Sequence, residues 1–433
     1  MAKPLSSKLS LATFIVSLVY AVSGYSLTQD DADYFPFDEE GLRSESPPVG
    51  TTIDANNIAE FSHSVEDVLE DQIAQGLLTI TVGQPISFAP HSTYIAATQE
   101  YGPKTRLGPE AGELHDYIAG RPFPEPLTVE DPRGGEKLAW NMRYAYGGDS
   151  VLIPEMYWYY RNIRKDSVQR KLKFSARSLK FAHRTIKEPL PSVTPNPYEI
   201  SSAIYLKVHT PPDIADTQLV LFYNILDTKP EQAWMYLPIL RRVRRIATKA
   251  KTDSFLGSDI MIEDFLGYSG RIMDMNWKIL GESRVLLPFY EYSKQQHTDD
   301  KARKYDYKFI DFHGQGHCYP KVSWQLRDTY ILEGSTTRKG HPIGRRVFYV
   351  DKQTSIASLM YIYDAAGALW KIGLGGVSHP EYHVVENKGS GAPIFDSSAM
   401  IDLQNLSCTT IQMITLVNHD KLRAKDFTPN NLR

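Results

Sequence analysis

Residues Ala233 to Tyr290 read AWMYLPILRRVRRIATKAKTDSFLGSDIMIEDFLGYSGRIMDMNWKILGESRVLLPFY, and the alternation at both ends of this stretch marks extended chain. Successive side chains of a strand point to opposite faces. Trp234 and Tyr236 therefore share one face, with Met235 and Leu237 on the other. Pro238 ends the strand because it has no N–H to give a ladder. After the turn, Arg242 and Arg244 fall on one face and Arg241, Val243 and Arg245 on the other. A segment of acids and small residues follows, from Gly257-Ser258-Asp259 through Glu263-Asp264 to Gly267-Tyr268. Asp259, Glu263 and Asp264 are the nearest countercharge, so the sequence predicts that they pair with the arginines and clamp this segment over the sheet.

Outward from this stretch the same signature recurs. Met156 to Tyr160 is nearly all aromatic, and Ala203 to His209 and Gln218 to Leu226 are dense in apolar residues on either side of the turn signal Pro211-Pro212-Asp213. Leu172 and Phe174, then Leu179 and Phe181, alternate with polar residues but out of phase, which suggests a bulge. Further strands are expected at 273–292 (broken at Gly281-Glu282), 323–334, 345–351, 355–363 and 368–373, with a weaker element at 409–417. Short strands with turns between them imply an antiparallel sheet. The clearest helix is Ser64 to Leu78, where Val65, Leu69 and Ile73 recur four apart. Residues 24–60 are acidic and rich in Ser, Pro and Gly and read as an extended arm with little core of its own, and 83–132, punctuated by Pro and Gly, read as irregular chain with short elements. The divisions are thus a leader at 1–23, an N-terminal arm and wrapping region at 24–138, and a β domain at 139–433.

The leader rests on Lys3 and Lys8 ahead of the apolar run Leu9 to Tyr20, with Ala21-Val22-Ser23 for cleavage before Gly24. That run is too short to span a bilayer comfortably. It predicts export to the periplasm, at or near the outer membrane. The formal charge of -3 argues against a nucleic-acid partner. Cys318 and Cys408 are the 2 cysteines. In an exported chain they read either as one disulfide or as two free buried thiols.

The run Trp234-Met235-Tyr236-Leu237-Pro238 to Arg245, then Gly257 to Asp264, then Trp277-Lys278-Ile279-Leu280-Gly281, resembles the domain of unknown function 1329 family. Those periplasmic proteins resemble outer-membrane lipoprotein-sorting carriers. Gly120 to Pro124, Trp140 to Tyr144, Gly344 to Asp351, Tyr363 to Trp370 and Phe427-Thr428-Pro429 look like further marks of it, so most of the chain is covered. The resemblance implies a LolA/LolB-like fold of mainly antiparallel β with a few helices (α+β). This is a strongly curved, incomplete barrel with helices on its concave face and an irregular N-terminal extension. It also implies work alongside envelope transport, with a resistance-nodulation-division (RND) type exporter or an outer-membrane protein as partner.

Trp234, Tyr236, Tyr268 and Trp277 have the area and polar handles to line an apolar groove, and core packing is their competing role. Arg241, Arg242, Arg244 and Arg245 suit an anionic headgroup, and a solvated strand is the alternative. His313, His317 and Cys318 are competent metal ligands, but the glycines between the histidines argue for a plain loop, so no metal and no cofactor is expected. No Gly-x-Ser-x-Gly, His-Glu-x-x-His or phosphate-binding loop occurs, so no catalytic residue is assigned. The sequence therefore reads as a non-enzymatic envelope protein that binds or hands on a lipid-like or amphiphilic molecule. The alternatives are a structural or assembly factor for a protein partner, and a hydrolase with an unrecognised site. Oligomeric state is not readable.

Overall fold

The computed structural model describes residues 33–246, 252–299 and 301–432, so the leader expected at 1–23 lies outside the described residues. The alternating stretches form β1 (Ser150–Asn162), β2 (Ser167–Lys180), β3 (Ile200–Thr210), β4 (Gln218–Asn224), β5 (Gln232–Leu237), β6 (Arg242–Arg245), β7 (Met275–Leu287), β8 (Ser323–Thr336), β9 (Ile343–Asp351), β10 (Ala357–Asp364), β11 (Leu369–Ser378), β12 (Ile394–Asp402) and β13 (Ser407–Met413). They pair antiparallel in the order β7-β8-β9-β10-β11-β12-β13-β1-β2-β3-β4-β5-β6. Consecutive strands are thus neighbours except β6 and β7, which lie at opposite edges with no ladder between them among the described residues, and β13 pairs back onto β1. The sheet is open.

It is also curved. Laid flat at about 4.8 Å per strand, the long strands would span roughly 55 Å. Yet Leu332 of β8, Phe348 of β9, Met400 of β12, Trp158 of β1, Phe174 of β2 and Leu221 of β4 belong to one continuous core cluster. One helix and one crossing segment complete that cluster, which requires the sheet to wrap around them. Alternation divides each strand between two cores. Phe348, Val350, Met360 and Ile362 face the inner cluster. Val347, Tyr349, Leu359 and Tyr361 face an outer one. The result is a mainly antiparallel, incomplete barrel.

The outer face is covered by chain that lacks a core of its own. α1 (Glu39–Glu45) brings Leu42, α2 (Asp67–Ala74) brings Leu69 and Ile73, and residues 80–82 add a short parallel strand against the start of β8. The helix expected over 64–78 is limited to α2. Glu66, not Ser64, caps it by accepting from the Val68 N–H at 3.0 Å, and Gly76 at φ +71° lies just past its end. At the other end of the sheet, Phe427 and Leu432 of the C-terminal chain cover Phe181 and Phe222. Cys318 and Cys408 are bridged, with Cα atoms 6.0 Å apart, tying the chain ahead of β8 to β13. The Cys318 thiol is therefore consumed and no longer a metal ligand.

The short elements expected within 83–132 include α3 (Ser92–Tyr101). Strand was expected from residue 139, but α4 (Gly134–Arg143) occupies that place. Its Gly135 lets the helix touch β7, since a Cβ there would sit 2.5 Å from the Lys278 N and the Trp277 carbonyl carbon. β2 keeps its own alternation, with Leu172 and Phe174 facing the inner core and Leu179 the outer. The irregularity expected between the pairs lies in the partner strand, where the register with β1 shifts at Ile153/Met156, opposite Phe174 and Ala176.

Candidate functional site

The chain between the two free edges crosses the inner face. Phe255 packs edge-on against Trp158 of β1, with ring centres 5.9 Å apart. Asp259 reaches β13, where its carboxylate accepts from Ser407 Oγ at 2.6 Å and Thr409 Oγ1 at 2.8 Å. Lys371 of β11 donates to the Asp259 carbonyl at 2.6 Å. Glu263 and Asp264 meet β9: Arg346 Nη2 donates to Glu263 Oε1 at 3.0 Å and to Asp264 Oδ1 at 2.7 Å. Tyr268 then packs on Trp277 of β7 at 5.5 Å. Positive φ at Gly257 (+81°) and Gly267 (+87°) supplies the bends at both ends of the acidic stretch. Residues 252–274 thus form a cover, with Phe255, Ile260, Met261, Ile262 and Ile272 turned into the inner core.

The electrostatics of the cover differ from those expected. None of the three acids pairs with Arg241, Arg242, Arg244 or Arg245 among the described residues. Glu263 and Asp264 instead meet Arg346, fully buried, and Glu263 also meets the β8–β9 turn, where Arg338 Nη2 donates to Glu263 Oε2 at 2.8 Å and His341 Nε2 lies 2.9 Å from Glu263 Oε1, while the Asp259 carboxylate is held by hydroxyls. Nearness in sequence lost to geometry, because the cover runs inward while β6 stays at the edge. Burial alone would raise the Glu263 carboxyl. The His341 contact and the charges of Arg346 and Arg338 outweigh it and hold the group at about 2. At Asp259 burial prevails over the two hydroxyl donors and Lys371, and the carboxyl stands above its ordinary value.

The aromatic residues singled out in the sequence separate onto two faces. Tyr268 and Trp277 belong to the inner core, where Arg346 lies 5.2 Å from the Tyr268 ring centre. Trp234 and Tyr236 sit on the outer face beside Val220, Phe222 and Phe427, and Trp234 meets Phe222 edge-on at 5.1 Å. These four do not form one groove, because residues 234 and 236 share the phase of Val243 and not of Ala233. Arg242 and Arg244 pair across the hairpin with Leu237 and Met235, and Arg245 pairs with Trp234 and lies 5.9 Å from its ring. All four arginines are exposed. Arg346, which holds the cover, was visible in sequence only within the motif Gly344 to Asp351.

A second polar cluster lies away from the cover. Tyr290 donates to Asp396, with Ser397 Oγ 3.0 Å from the same hydroxyl and His383 Nε2 3.6 Å from Asp396 Oδ2. Burial raises Asp396 to about 7 and lowers His383 to about 3. Both side chains are 0% exposed, so this acid–base pair is sealed from any substrate.

A family model described as "Protein of unknown function (DUF1329)" matches residues 52–433. An uncharacterized protein of Pseudomonas aeruginosa is 23% identical over 338 residues, 74% of this chain and 68% of that protein. Among solved structures, a DUF1329 family protein from Desulfovibrio piger is 17% identical and covers 70% of this chain and 99% of its own, at a TM-score of 0.48. A LolA superfamily protein from Nitrosomonas europaea is 11% identical and covers 67% and 94%, at a TM-score of 0.37. No helix among the described residues is long and apolar enough to cross a membrane.

Proposed function

The chain belongs to the DUF1329 family, and we propose that it is an exported, non-enzymatic carrier that binds a lipid-like molecule on the inner face of its open sheet. One observation carries this reading: the inner face is apolar across most of the sheet, yet its cover is only α4 with the chain before it, a two-residue-per-strand hairpin (Arg106–Leu107 with Leu114–His115) and the crossing segment, not a second large sheet. A cover tied down at a few polar points can leave as a unit. An acyl chain entering in its place recovers about 0.8 kcal/mol per buried methylene. That offsets the lost burial of Phe255, Ile260, Met261 and Ile262. The leader pattern and the Cys318–Cys408 bridge support export, since disulfides persist in oxidising compartments. Work beside an RND-type exporter or an outer-membrane protein belongs to the same proposal and rests on the family resemblance alone.

The assembly-factor reading draws on the same cover, because in this conformation the chain fills its own interior. Brominated fatty acid separates the two. Bound inside, its bromines quench Trp158 of the inner face and spare Trp324 of the outer core. Single-tryptophan variants retaining one or the other report which. Quenching confined to Trp158, together with lipid in native mass spectra, supports the carrier. Absence of both supports the assembly factor.

A further inference from the structure

The hairpin of β5 and β6 turns through Pro238–Leu240, with Ile239 91% exposed and Leu240 39% exposed. The turn is closed by the Arg241 N–H donating to the Pro238 carbonyl at 3.1 Å, and Arg241 takes φ +47°. Ile239 therefore sits at the tip of a defined turn. A lone exposed apolar side chain carries nothing by itself. What singles this one out is its surroundings. Arg241, Arg242, Arg244 and Arg245 follow it at once, all exposed.

The acids expected to neutralise these arginines are used elsewhere. Asp259 is held by Ser407 and Thr409, and Glu263 and Asp264 by Arg346 with Arg338 and His341. Arg241, Arg242 and Arg244 have no carboxylate partner among the described residues, and Arg245 has only the Trp234 ring. The chain's formal charge of -3 opposes general adsorption to an anionic surface, so attraction must be local to this tip. Among the described residues β6 pairs only with β5, which leaves it at the edge of the sheet.

We propose that the β5–β6 hairpin docks on an anionic lipid bilayer. Its guanidinium groups meet headgroup phosphates, and Ile239 enters the boundary between headgroups and acyl chains. Guanidinium forks match phosphate oxygens, and an apolar tip among cations is the combination that lies in the interface. This surface is separate from the inner face and needs no opening of the cover.

Vesicle sedimentation of the full chain tests it, with phosphatidylcholine vesicles against mixed phosphatidylglycerol–phosphatidylcholine vesicles. The chain should sediment with the mixed vesicles, not with pure phosphatidylcholine, and less as salt rises. Each arginine near such a surface is worth about fivefold in partitioning. R241Q/R242Q/R244Q/R245Q should thus lose about six-hundredfold, and I239D about tenfold. Both should melt as the parent does, and V385D, at another exposed apolar residue (71% exposed), should bind unchanged. Should the fourfold variant melt early, I239D decides alone. No binding to the mixed vesicles, or binding that I239D and the arginine variant both retain, overturns the proposal. So does equal binding to both kinds of vesicle.

Discussion

Asp259 and Glu263 lie on one segment, and their surroundings drive them in opposite directions. Asp259 receives hydroxyl donors, which do not outweigh its desolvation. Glu263 receives two guanidinium groups and a histidine, which do. Its folded value of about 2 lies below the ordinary 4.5, so its contribution is present above pH 4.5 and is lost as pH falls from there towards 2. The shift is worth about 3 kcal/mol. Asp259, raised when folded, has the opposite sign: it favours the folded state at low pH and loses that advantage as pH rises through its folded value. Urea unfolding at pH 5 and pH 3 should show the parent losing more stability than Glu263→Gln across this window. An equal loss in both would mean that the carboxylate is not paired as described. That Glu263 and Asp264 need a cation was legible in the sequence. Which cation was not, because Arg346 lies 82 residues beyond Asp264 and only the wrapped sheet brings them together.

At the scale of elements, legibility followed how purely each segment alternates. The β5–β6 hairpin, with its break at Pro238, is where the sequence places it. β12 escaped notice because its buried residues include Asp396, Ser397 and Asp402, polar groups that interrupt an apolar pattern. α4 escaped because Gly134-Gly135 reads as a turn, although here Gly135 serves close approach to β7. Pairing of the cysteines could not be read from spacing alone. Their bridge closes a loop of 90 residues between the chain ahead of β8 and β13. Loop-closure entropy puts its loss at about 2 to 5 kcal/mol. C318S/C408S should therefore unfold at clearly lower denaturant than the oxidised parent, with the same circular dichroism before the transition. An unchanged midpoint would show that the outer layer holds β13 without it.

For the molecule as a whole, the open edge between β6 and β7 and the segment that spans it are the features from which the functional reading follows. Neither was readable from local pattern, since openness depends on which strands fail to pair. The central claim is that residues 252–274 are a displaceable cover over an apolar face. Hydrogen exchange with and without oleate tests it most directly. The amides of Phe255, Asp264 and Ser269 are held by bonds within the cover, to the carbonyls of Ile260, Met261 and Glu263. On oleate binding these should exchange faster, while the ladder amides between β1 and β2 and between β3 and β4 keep their protection. Bound oleate with the cover's exchange unchanged, or faster exchange spread evenly through the sheet, would contradict the account.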